Sequence, residues 1–273
     1  MLINGKALAE NLLTDVTAAA TAMSVPPHLT VFTCAPNFET QKFLALKQKQ
    51  AARCGITLVL QRCEPNVTLG EITAAIEQVR ATTDGIIIQF PFPEHLSTGD
   101  LIALIPRTHD VDAFFYDGLA TDLLPPVVGA IDEISRAHLV VWTGKKVVIV
   151  GNGRLVGAPA TVYAHHQGGE VTVITKDSPD QVAQLVAADI LILGAGVPGL
   201  ITVDNIKTGV IIFDAGTSEA GGMLVGDADQ AVQSKAALVT PVPGGIGPLT
   251  IAVLLRNVLY LAQEHRKNLH NMV

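Results

Sequence analysis

The sequence has few cysteines, few basic residues and no long apolar run, and each shortage excludes a class of protein. Cys34, Cys54 and Cys63 are scattered and lack metal-ligand spacing, so we expect reduced thiols rather than a disulfide framework or a metal site. Only 18 Lys and Arg stand against 25 Asp and Glu, and the net charge of −7 argues against nucleic acid as a partner. No apolar run approaches the roughly 20 residues of a membrane span, and the start lacks the regions of a secretion signal. A cytoplasmic protein that binds a small molecule is expected, with no membrane partner.

The sequence is instead rich in short apolar blocks. Hydrophobic residues make up 49% of it, which excludes a disordered chain. The blocks predict strands at 29–34, 56–61, 85–90, 146–151, 170–175, 189–194 and 210–216. Helical patterns lie at 38–53, 69–82, 155–167, 179–187 and 248–267. Continuous apolar strands that alternate with helices predict an α/β protein with parallel sheets. Because 109–130 is weakly periodic and carries a Pro-Pro pair, we interpret it as a linker between two α/β domains with a ligand cleft between them.

The stretch KKVVIVGNGRLVGAPATVYAHH contains a glycine-rich turn between a strand and a helix. Gly151 and Gly153 would let the backbone approach a pyrophosphate, and Gly157 would let helix and strand pack closely. A second strand then completes a βαβ unit, which is the context that a dinucleotide site requires. A glycine-rich turn without a ligand is the alternative.

Asp177 follows that second strand. An acidic residue there accepts hydrogen bonds from an adenosine ribose and repels a 2′-phosphate, which favours NAD over NADP. Lys176 could offset this charge, although a solvated surface lysine is an equal alternative.

Polar residues in the first half form a candidate reaction site. Helical spacing places Thr40, Phe43 and Lys47 on one stripe, and a partly buried lysine there could handle a proton. Gln89 ends an apolar strand, where parallel sheets present functional side chains. The aspartates of HDVDAFF (109–115) could point the same way from an extended segment and bind a flat heterocycle. The alternatives are a surface lysine, a glutamine that ties down the next loop, and an Asx-type turn.

The segment PVPGGIGPLT (241–250) has three prolines and three glycines. Such density indicates either a loop whose backbone lies against a ligand or a rigid turn that starts a helix near Pro248.

In their order along the chain, these segments resemble the methylenetetrahydrofolate dehydrogenase/methenyltetrahydrofolate cyclohydrolase family. INGKALAENLL resembles its opening helix, GIIIQFPFP its GILVQLPLP, DVDAF its DVDGF and PVPGGIGPLT its PVPGGVGPMT. The resemblance covers nearly the whole chain. It implies oxidation of 5,10-methylenetetrahydrofolate with NAD or NADP, and hydrolysis of the methenyl product to 10-formyltetrahydrofolate. It also implies a catalytic domain at 1–120, with a helix at 248–273 packed back on it, a Rossmann-type NAD(P)-binding domain at 121–247, and a homodimer.

The resemblance also assigns roles to residues. Lys47 handles protons in the cyclohydrolase step, Gln89 supports it, and Asp112 grips the pterin. The other folate-binding residues implied are Thr40, Phe43, Pro91, Pro243, Gly244, Gly245 and Pro248. The cofactor-binding residues implied are Gly151, Asn152, Gly153, Arg154, Val156, Gly157, Lys176, Asp177, Gly196, Pro198 and Gly216.

Four departures from the family pattern bear on function. Phe43 replaces a tyrosine and Ala113 replaces a glycine. Asn152 and Asp177 replace arginines, and these two losses of positive charge reinforce NAD. Because hydrolysis needs water activation and proton transfer, the lost tyrosine hydroxyl bears on the cyclohydrolase activity more than on the dehydrogenase. The alternatives are a dehydrogenase with weak or no cyclohydrolase activity, a non-catalytic folate-binding relative, and a dehydrogenase on another one-carbon carrier.

Overall fold

Helices and strands alternate along the chain, as the apolar blocks predict. The computed structural model describes residues 1–118, 123–220 and 223–270. The helices are Gly5–Thr21 (α1), Phe38–Arg53 (α2), Leu69–Arg80 (α3), Thr98–Ala103 (α4), Pro126–Ala137 (α5), Gly157–His166 (α6), Gln181–Ala187 (α7) and Ile246–His270 (α8). The strands are His28–Cys34 (β1), Thr57–Cys63 (β2), Gly85–Gln89 (β3), Lys146–Val150 (β4), Glu170–Ile174 (β5), Ile190–Leu193 (β6), Ile211–Asp214 (β7), Ser218–Ala220 (β8), Met223–Val225 (β9) and Leu238–Val239 (β10).

The chain divides into two compact units. The three-stranded unit comprises Asn11–Phe115 and Leu254–Val273, and the five-stranded unit comprises Met1–Glu10 and Tyr116–Val253. The boundaries therefore fall inside α1 and α8 as well as after Phe115. The predicted domain bounds and the cleft between the domains stay predictions.

The three-stranded unit contains a parallel sheet in the order β2-β1-β3. The register places Thr33 beside Gln89, so the carboxyl ends of β1 and β3 lie at the same edge. Apolar side chains from the sheet and from α3 and α4 fill one core, which consists of Phe32, Ile72, Ile76, Ile86, Ile88, Leu101 and Ile105. The N-cap of α2 is Asn37, whose side chain accepts the backbone N–H of Thr40. This cap fixes the start of the helix that carries Lys47.

The five-stranded unit contains a parallel sheet in the order β10-β7-β6-β4-β5. Strand order reverses at β4, because β5 lies on one side of it and β6 on the other. The crevice at the carboxyl ends of strands at such a switch point is where open α/β sheets bind ligands. Gly151 and the glycine-rich turn follow β4 directly. The fold therefore puts the predicted dinucleotide turn at the expected edge of the sheet.

The strand predictions are confirmed, and the predicted linker overlaps the start of a helix. All seven predicted strands are present with ends within two residues, whereas β8, β9 and β10 were not predicted. The segment 109–130 contains the start of α5, with Pro125 as its N-cap and Pro126 at its first turn. Residues 119–122 of that segment lie outside the described residues. The Pro-Pro pair thus begins a helix rather than breaking one.

The last helix begins earlier than predicted. α8 runs from Ile246, so Pro248 is its third residue, and the part of the predicted 248–273 helix at 271–273 lies outside the described residues. Contrary to the expectation from apolar runs, Ile246–Asn268 is long and apolar enough to cross a membrane. However, 67% of its most apolar stretch is buried inside the protein, as in the core helix of a soluble protein. This length and composition are weak evidence for a span.

Candidate active site

Lys47 and Gln89 meet at the carboxyl edge of the three-stranded sheet. Lys47 lies on α2, Gln89 is the last residue of β3, and the lysine Nζ donates a hydrogen bond to the glutamine Oε1 at 2.8 Å. The Gln89 Nε2 donates to the carbonyl of Phe90 at 3.2 Å. Gln89 therefore ties down the next loop, as its alternative interpretation predicts, and also holds the lysine, whereas its contact with a ligand stays a prediction. Lys47 is partly buried rather than a free surface lysine.

Burial shifts the pKa values of Lys47 and Asp112 in opposite directions, towards the neutral form of each. Burial lowers the pKa of Lys47, and the nearby Asp112 carboxylate partly opposes this shift. Burial raises the pKa of Asp112, and Lys47 partly opposes that shift. A lysine whose pKa is lowered exchanges its proton more readily near neutral pH. The three residues to which we assigned catalysis thus lie in one unit, with Lys47 hydrogen-bonded to Gln89 and electrostatically coupled to Asp112.

The aspartates of HDVDAFF lie in a turn, so the extended segment expected from sequence is wrong. Asp110 is 3% exposed, and its Oδ2 accepts the backbone N–H of Phe115 at 3.4 Å. Its Oδ1 is buried without a hydrogen-bond partner among the described residues. Burial, and next the Asp112 carboxylate, raise the pKa of Asp110 to about 7. Asp110 therefore stabilises the turn, whereas Asp112 remains partly exposed to a ligand.

The turn contains a backbone conformation that favours glycine. Ala113 has a φ of 51°, in the left-handed region. The departure noted in the sequence, alanine for the family's glycine, thus occurs where a Cβ is unfavourable.

The predicted folate residues of the three-stranded unit lie near this edge. Thr40 is buried, while Phe43 on the same helix is 43% exposed and leaves a ring face for a planar ligand. Pro91 is exposed and follows β3 after a cis peptide bond. The other predicted folate residues belong to the five-stranded unit, namely Pro243, Gly244, Gly245 and Pro248.

The PVPGGIGPLT loop has a structural need for two of its glycines. Gly244 has a φ of 107°, which favours glycine. A Cβ on Gly245 would lie 2.7 Å from the carbonyl oxygen of Pro241, and a Cβ on Gly5 would collide with the Gly245 carbonyl. The segment is therefore a tight turn that starts α8 and contacts the start of α1. This explains its glycines without excluding contact with a ligand.

The glycine-rich turn after β4 has the geometry of a dinucleotide site. Gly151 has a φ of 95°, and a Cβ there would lie 2.8 Å from the carbonyl of Gly194. A Cβ on Gly157 would collide with the carbonyl of Gly151, so α6 packs directly on the end of β4. A Cβ on Gly153 would meet nothing within 4 Å. Gly153 therefore borders open space. Because it has no side chain, a pyrophosphate could approach its backbone closely. These residues fit NAD(P).

The other cofactor-loop residues differ in exposure. Asn152 and Arg154 are exposed. Val156 packs against Gly194, because a Cβ on Gly194 would lie 2.6 Å from the Cγ1 of Val156. Val156 therefore has a packing role in this structure. Lys176 and Asp177 are exposed in a turn after β5, the strand beside β4. The exposed side chains are the ones available to a ligand.

Two buried carboxylates that we did not assign from sequence organise the neighbouring loops. Asp227 is fully buried and accepts the backbone N–H groups of Ala195, Gly196 and Val197 at 2.8, 3.1 and 2.8 Å. Pro198 lies exposed in the same loop. Asp227 thus fixes the loop after β6 that carries two predicted cofactor residues.

Asp214 organises the loop after β7. It accepts the N–H groups of Gly216 at 2.9 Å and Ala228 at 2.9 Å. Burial raises its pKa to about 6, which those N–H groups partly oppose. A Cβ on Gly216 would collide with the Asp227 carboxylate, so glycine is required there for packing. The sequence alone assigned no role to either carboxylate.

Among the described residues, no group of three or more His, Cys, Asp or Glu side chains lies close enough to hold a metal ion.

Comparison with family models decides the family. The catalytic domain of the tetrahydrofolate dehydrogenase/cyclohydrolase family matches residues 3–112, and its NAD(P)-binding domain matches residues 125–266. The chain belongs to the tetrahydrofolate dehydrogenase/cyclohydrolase family. Its α/β fold with two parallel sheets is the fold of that family.

Individual members of this family match almost the whole chain. The bifunctional protein FolD of a Sulfurovum species is 32% identical over 96% of this chain and 99% of its own. The crystal structure of the bifunctional FolD enzyme of Campylobacter jejuni has a TM-score of 0.93 at 30% identity, covering 97% of this chain and 99% of that one. The Trypanosoma brucei FolD enzyme, complexed with NADP cofactor and inhibitor, has a TM-score of 0.90 at 28% identity, covering 97% and 98%.

Proposed function

We propose that the protein oxidises 5,10-methylenetetrahydrofolate with NAD(P) and hydrolyses the methenyl product to 10-formyltetrahydrofolate. The observation that carries this proposal is the Lys47–Gln89 hydrogen bond of 2.8 Å beside Asp112, inside the region that matches the family's catalytic domain. NAD(P) supplies the hydride acceptor for the oxidation. The bifunctional names of the relatives support both reactions.

Asp112 binds the pterin. Its carboxylate offers two acceptor oxygens, and a pterin presents adjacent N–H donors in one plane. The exposed ring of Phe43 packs against the flat substrate without a phenolic hydroxyl. Substrate orientation is the main requirement of the oxidation step.

Lys47 and Gln89 carry the hydrolysis. Water adds to the methenyl carbon and loses one proton, the bond from that carbon to N5 breaks as N5 gains a proton, and the remaining hydroxyl loses its proton to form the formyl carbonyl. The net reaction consumes one water and releases one proton. Lys47, with its lowered pKa, accepts and returns the proton, and Gln89 holds the lysine and orients the water. We propose that this pair sustains hydrolysis without the tyrosine hydroxyl that Phe43 lacks.

The preferred cofactor is NAD. The exposed Asp177 follows β5 beside the glycine-rich turn, where a carboxylate accepts a ribose hydroxyl and repels a 2′-phosphate. Asn152 adds no positive charge to that region. The adjacent Lys176 works against this preference, so we expect discrimination rather than exclusion of NADP.

The glycine-rich turn and the Asp227-held loop hold the cofactor. Gly151 and Gly153 bring the backbone to the pyrophosphate, and Arg154 is exposed beside them. Gly196 and Pro198 form the facing loop at the end of β6, the strand next to β4. We extend the proposal to a cytoplasmic homodimer, on the family resemblance and the sequence composition. Sedimentation of the purified protein at micromolar concentration checks the dimer.

Two assays on the purified chain test the proposed function. The first follows reduced nicotinamide formed from 5,10-methylenetetrahydrofolate with NAD and with NADP. The second follows loss of 5,10-methenyltetrahydrofolate above the rate without enzyme. We expect both rates to depend on the enzyme. Oxidation without hydrolysis would retain only the dehydrogenase, and the absence of both would reject the proposal in favour of a non-catalytic folate-binding relative.

A further inference from the structure

A buried asparagine of the last helix contacts the turn that carries Asp112. Asn257 lies on α8 and is 1% exposed. Its Nδ2 donates a hydrogen bond to the carbonyl oxygen of Val111 at 2.9 Å. Val111 is itself fully buried and immediately precedes Asp112. The amide thus reaches the backbone of the proposed pterin-binding turn across 146 positions of sequence.

The same turn is held on its other sides by different groups. Asp110 forms a backbone bridge with Ile86 of β3, and its side chain accepts the N–H of Phe115 at 3.4 Å. A Cβ on Gly85 would collide with Val111, so the strand and the turn are in close contact. These contacts fix the two ends of the turn. The Val111 carbonyl between them is held by α8.

The peptide geometry transmits this contact to Asp112. The carbonyl of Val111 and the N–H of Asp112 belong to one rigid planar peptide. A hydrogen bond that fixes the carbonyl direction therefore also fixes the direction in which the Asp112 Cα leaves that plane. A buried carbonyl without a partner is unfavourable, so loss of the donor would favour rotation of this peptide.

The geometry points to Asn257 as a positioning residue that orients Asp112 for the pterin. It touches neither substrate nor cofactor in this role, and it acts through the Val111 carbonyl. The inference rests on the proposed function, because it takes Asp112 as the folate-binding carboxylate. The inference adds that α8 affects the affinity for folate through the side-chain amide of Asn257.

The substitution Asn257→Leu tests the inference, because leucine has a similar size and no hydrogen-bond donor. We expect the Kd for 5-formyltetrahydrofolate, measured by titration calorimetry, and the KM for 5,10-methylenetetrahydrofolate both to rise about tenfold. The Kd for NAD should change less than twofold. Leu261→Ala is the stability control, since it removes buried apolar atoms from the same helix and has no donor for Val111.

A double-mutant cycle separates positioning from general destabilisation. If Asn257 acts through Asp112, then Asn257→Leu should weaken folate binding less than twofold further in an Asp112→Asn background. If the two effects multiply in full, or if Leu261→Ala weakens folate binding as much, the inference is overturned. Should Asn257→Leu fail to fold, Asn257→Ser replaces it, with the same cycle and the same criteria.

The outcomes distinguish this inference from the proposed function. If the wild-type chain neither binds 5-formyltetrahydrofolate nor oxidises 5,10-methylenetetrahydrofolate, the proposed function fails, and this inference with it. If the wild-type chain does both and Asn257→Leu binds the probe with unchanged Kd, the inference alone fails.

Discussion

At the scale of single residues, we propose that the exposed Asp177 is the main determinant of cofactor choice. We predict that Asp177→Ser raises kcat/KM for NADP about tenfold relative to NAD, because it removes a carboxylate that repels the 2′-phosphate and leaves Lys176 in place. Steady-state kinetics with both cofactors measures the ratio. Asp204→Ser removes the same charge from another exposed position of the five-stranded unit and should leave the ratio unchanged. An equal change in both variants would contradict a specific role for Asp177.

Asp110 should make stability depend on pH. Its pKa in the folded protein, about 7, lies above its ordinary value of 3.8, so the folded state binds the proton more tightly than the unfolded state. The protonated Asp110 carboxyl therefore contributes stability that is fully present in acid and is lost as the pH rises through about 7. Asp110→Asn cannot titrate. We therefore predict that the free energy of unfolding of the wild type, relative to Asp110→Asn, falls by about 1–3 kcal/mol between pH 5 and pH 8.

Urea denaturation of both proteins at the two pH values checks this prediction. A difference between the two proteins that is the same at both pH values would show that Asp110 has an ordinary pKa.

At the scale of elements, Asp227 fixes the loop after β6. Asp227→Asn keeps the shape of the side chain but replaces one acceptor oxygen by an N–H₂ group that faces backbone donors. We predict a loss of about 1.5–3 kcal/mol in the free energy of unfolding, together with a raised KM for the cofactor. Urea denaturation and cofactor kinetics measure the two effects. Asp204→Asn is the exposed control, and an unchanged cofactor KM in a destabilised Asp227→Asn protein would limit Asp227 to a folding role.

Helices and strands that show a continuous apolar pattern could be predicted from the sequence. Elements that exist only because they pair with a distant strand could not. The first seven strands are mostly apolar runs, and in the central strands β1, β3, β4 and β6 burial on both faces makes such runs nearly continuous. β10 has only two residues and exists because it pairs with β7. The start of α5 was not predicted, because Pro125 and Pro126 are ordinarily helix breakers, yet both fit at a helix N-terminus.

The candidate site divides in the same way. Lys47 and Gln89 could be placed from helical spacing and from the end of a strand, and the structure joins them by a hydrogen bond. Asp214 and Asp227 resemble surface carboxylates in sequence, because their backbone partners come from loops that only the fold brings together. The contact of Asn257 with Val111 joins distant segments and has no local signal.

At the scale of the whole molecule, the two units carry separate parts of the proposed chemistry. The three-stranded unit holds the Lys47–Gln89 pair and Asp112, and the five-stranded unit holds the glycine-rich turn. Substitutions in the first unit should therefore act on folate and on hydrolysis, and those at the glycine-rich turn should act on the cofactor. We therefore infer that Lys47 serves the hydrolysis and takes no part in the hydride transfer.

The most direct test of that claim is the rate of methenyltetrahydrofolate hydrolysis in Lys47→Met, measured beside Lys49→Met and beside methylenetetrahydrofolate oxidation by the same proteins. Lys49 is an exposed lysine of the same helix and controls for loss of charge. We predict that Lys47→Met lowers kcat for hydrolysis about 10²–10⁴-fold and lowers oxidation much less, while Lys49→Met changes neither rate more than twofold. Hydrolysis by Lys47→Met at the wild-type rate would contradict the account.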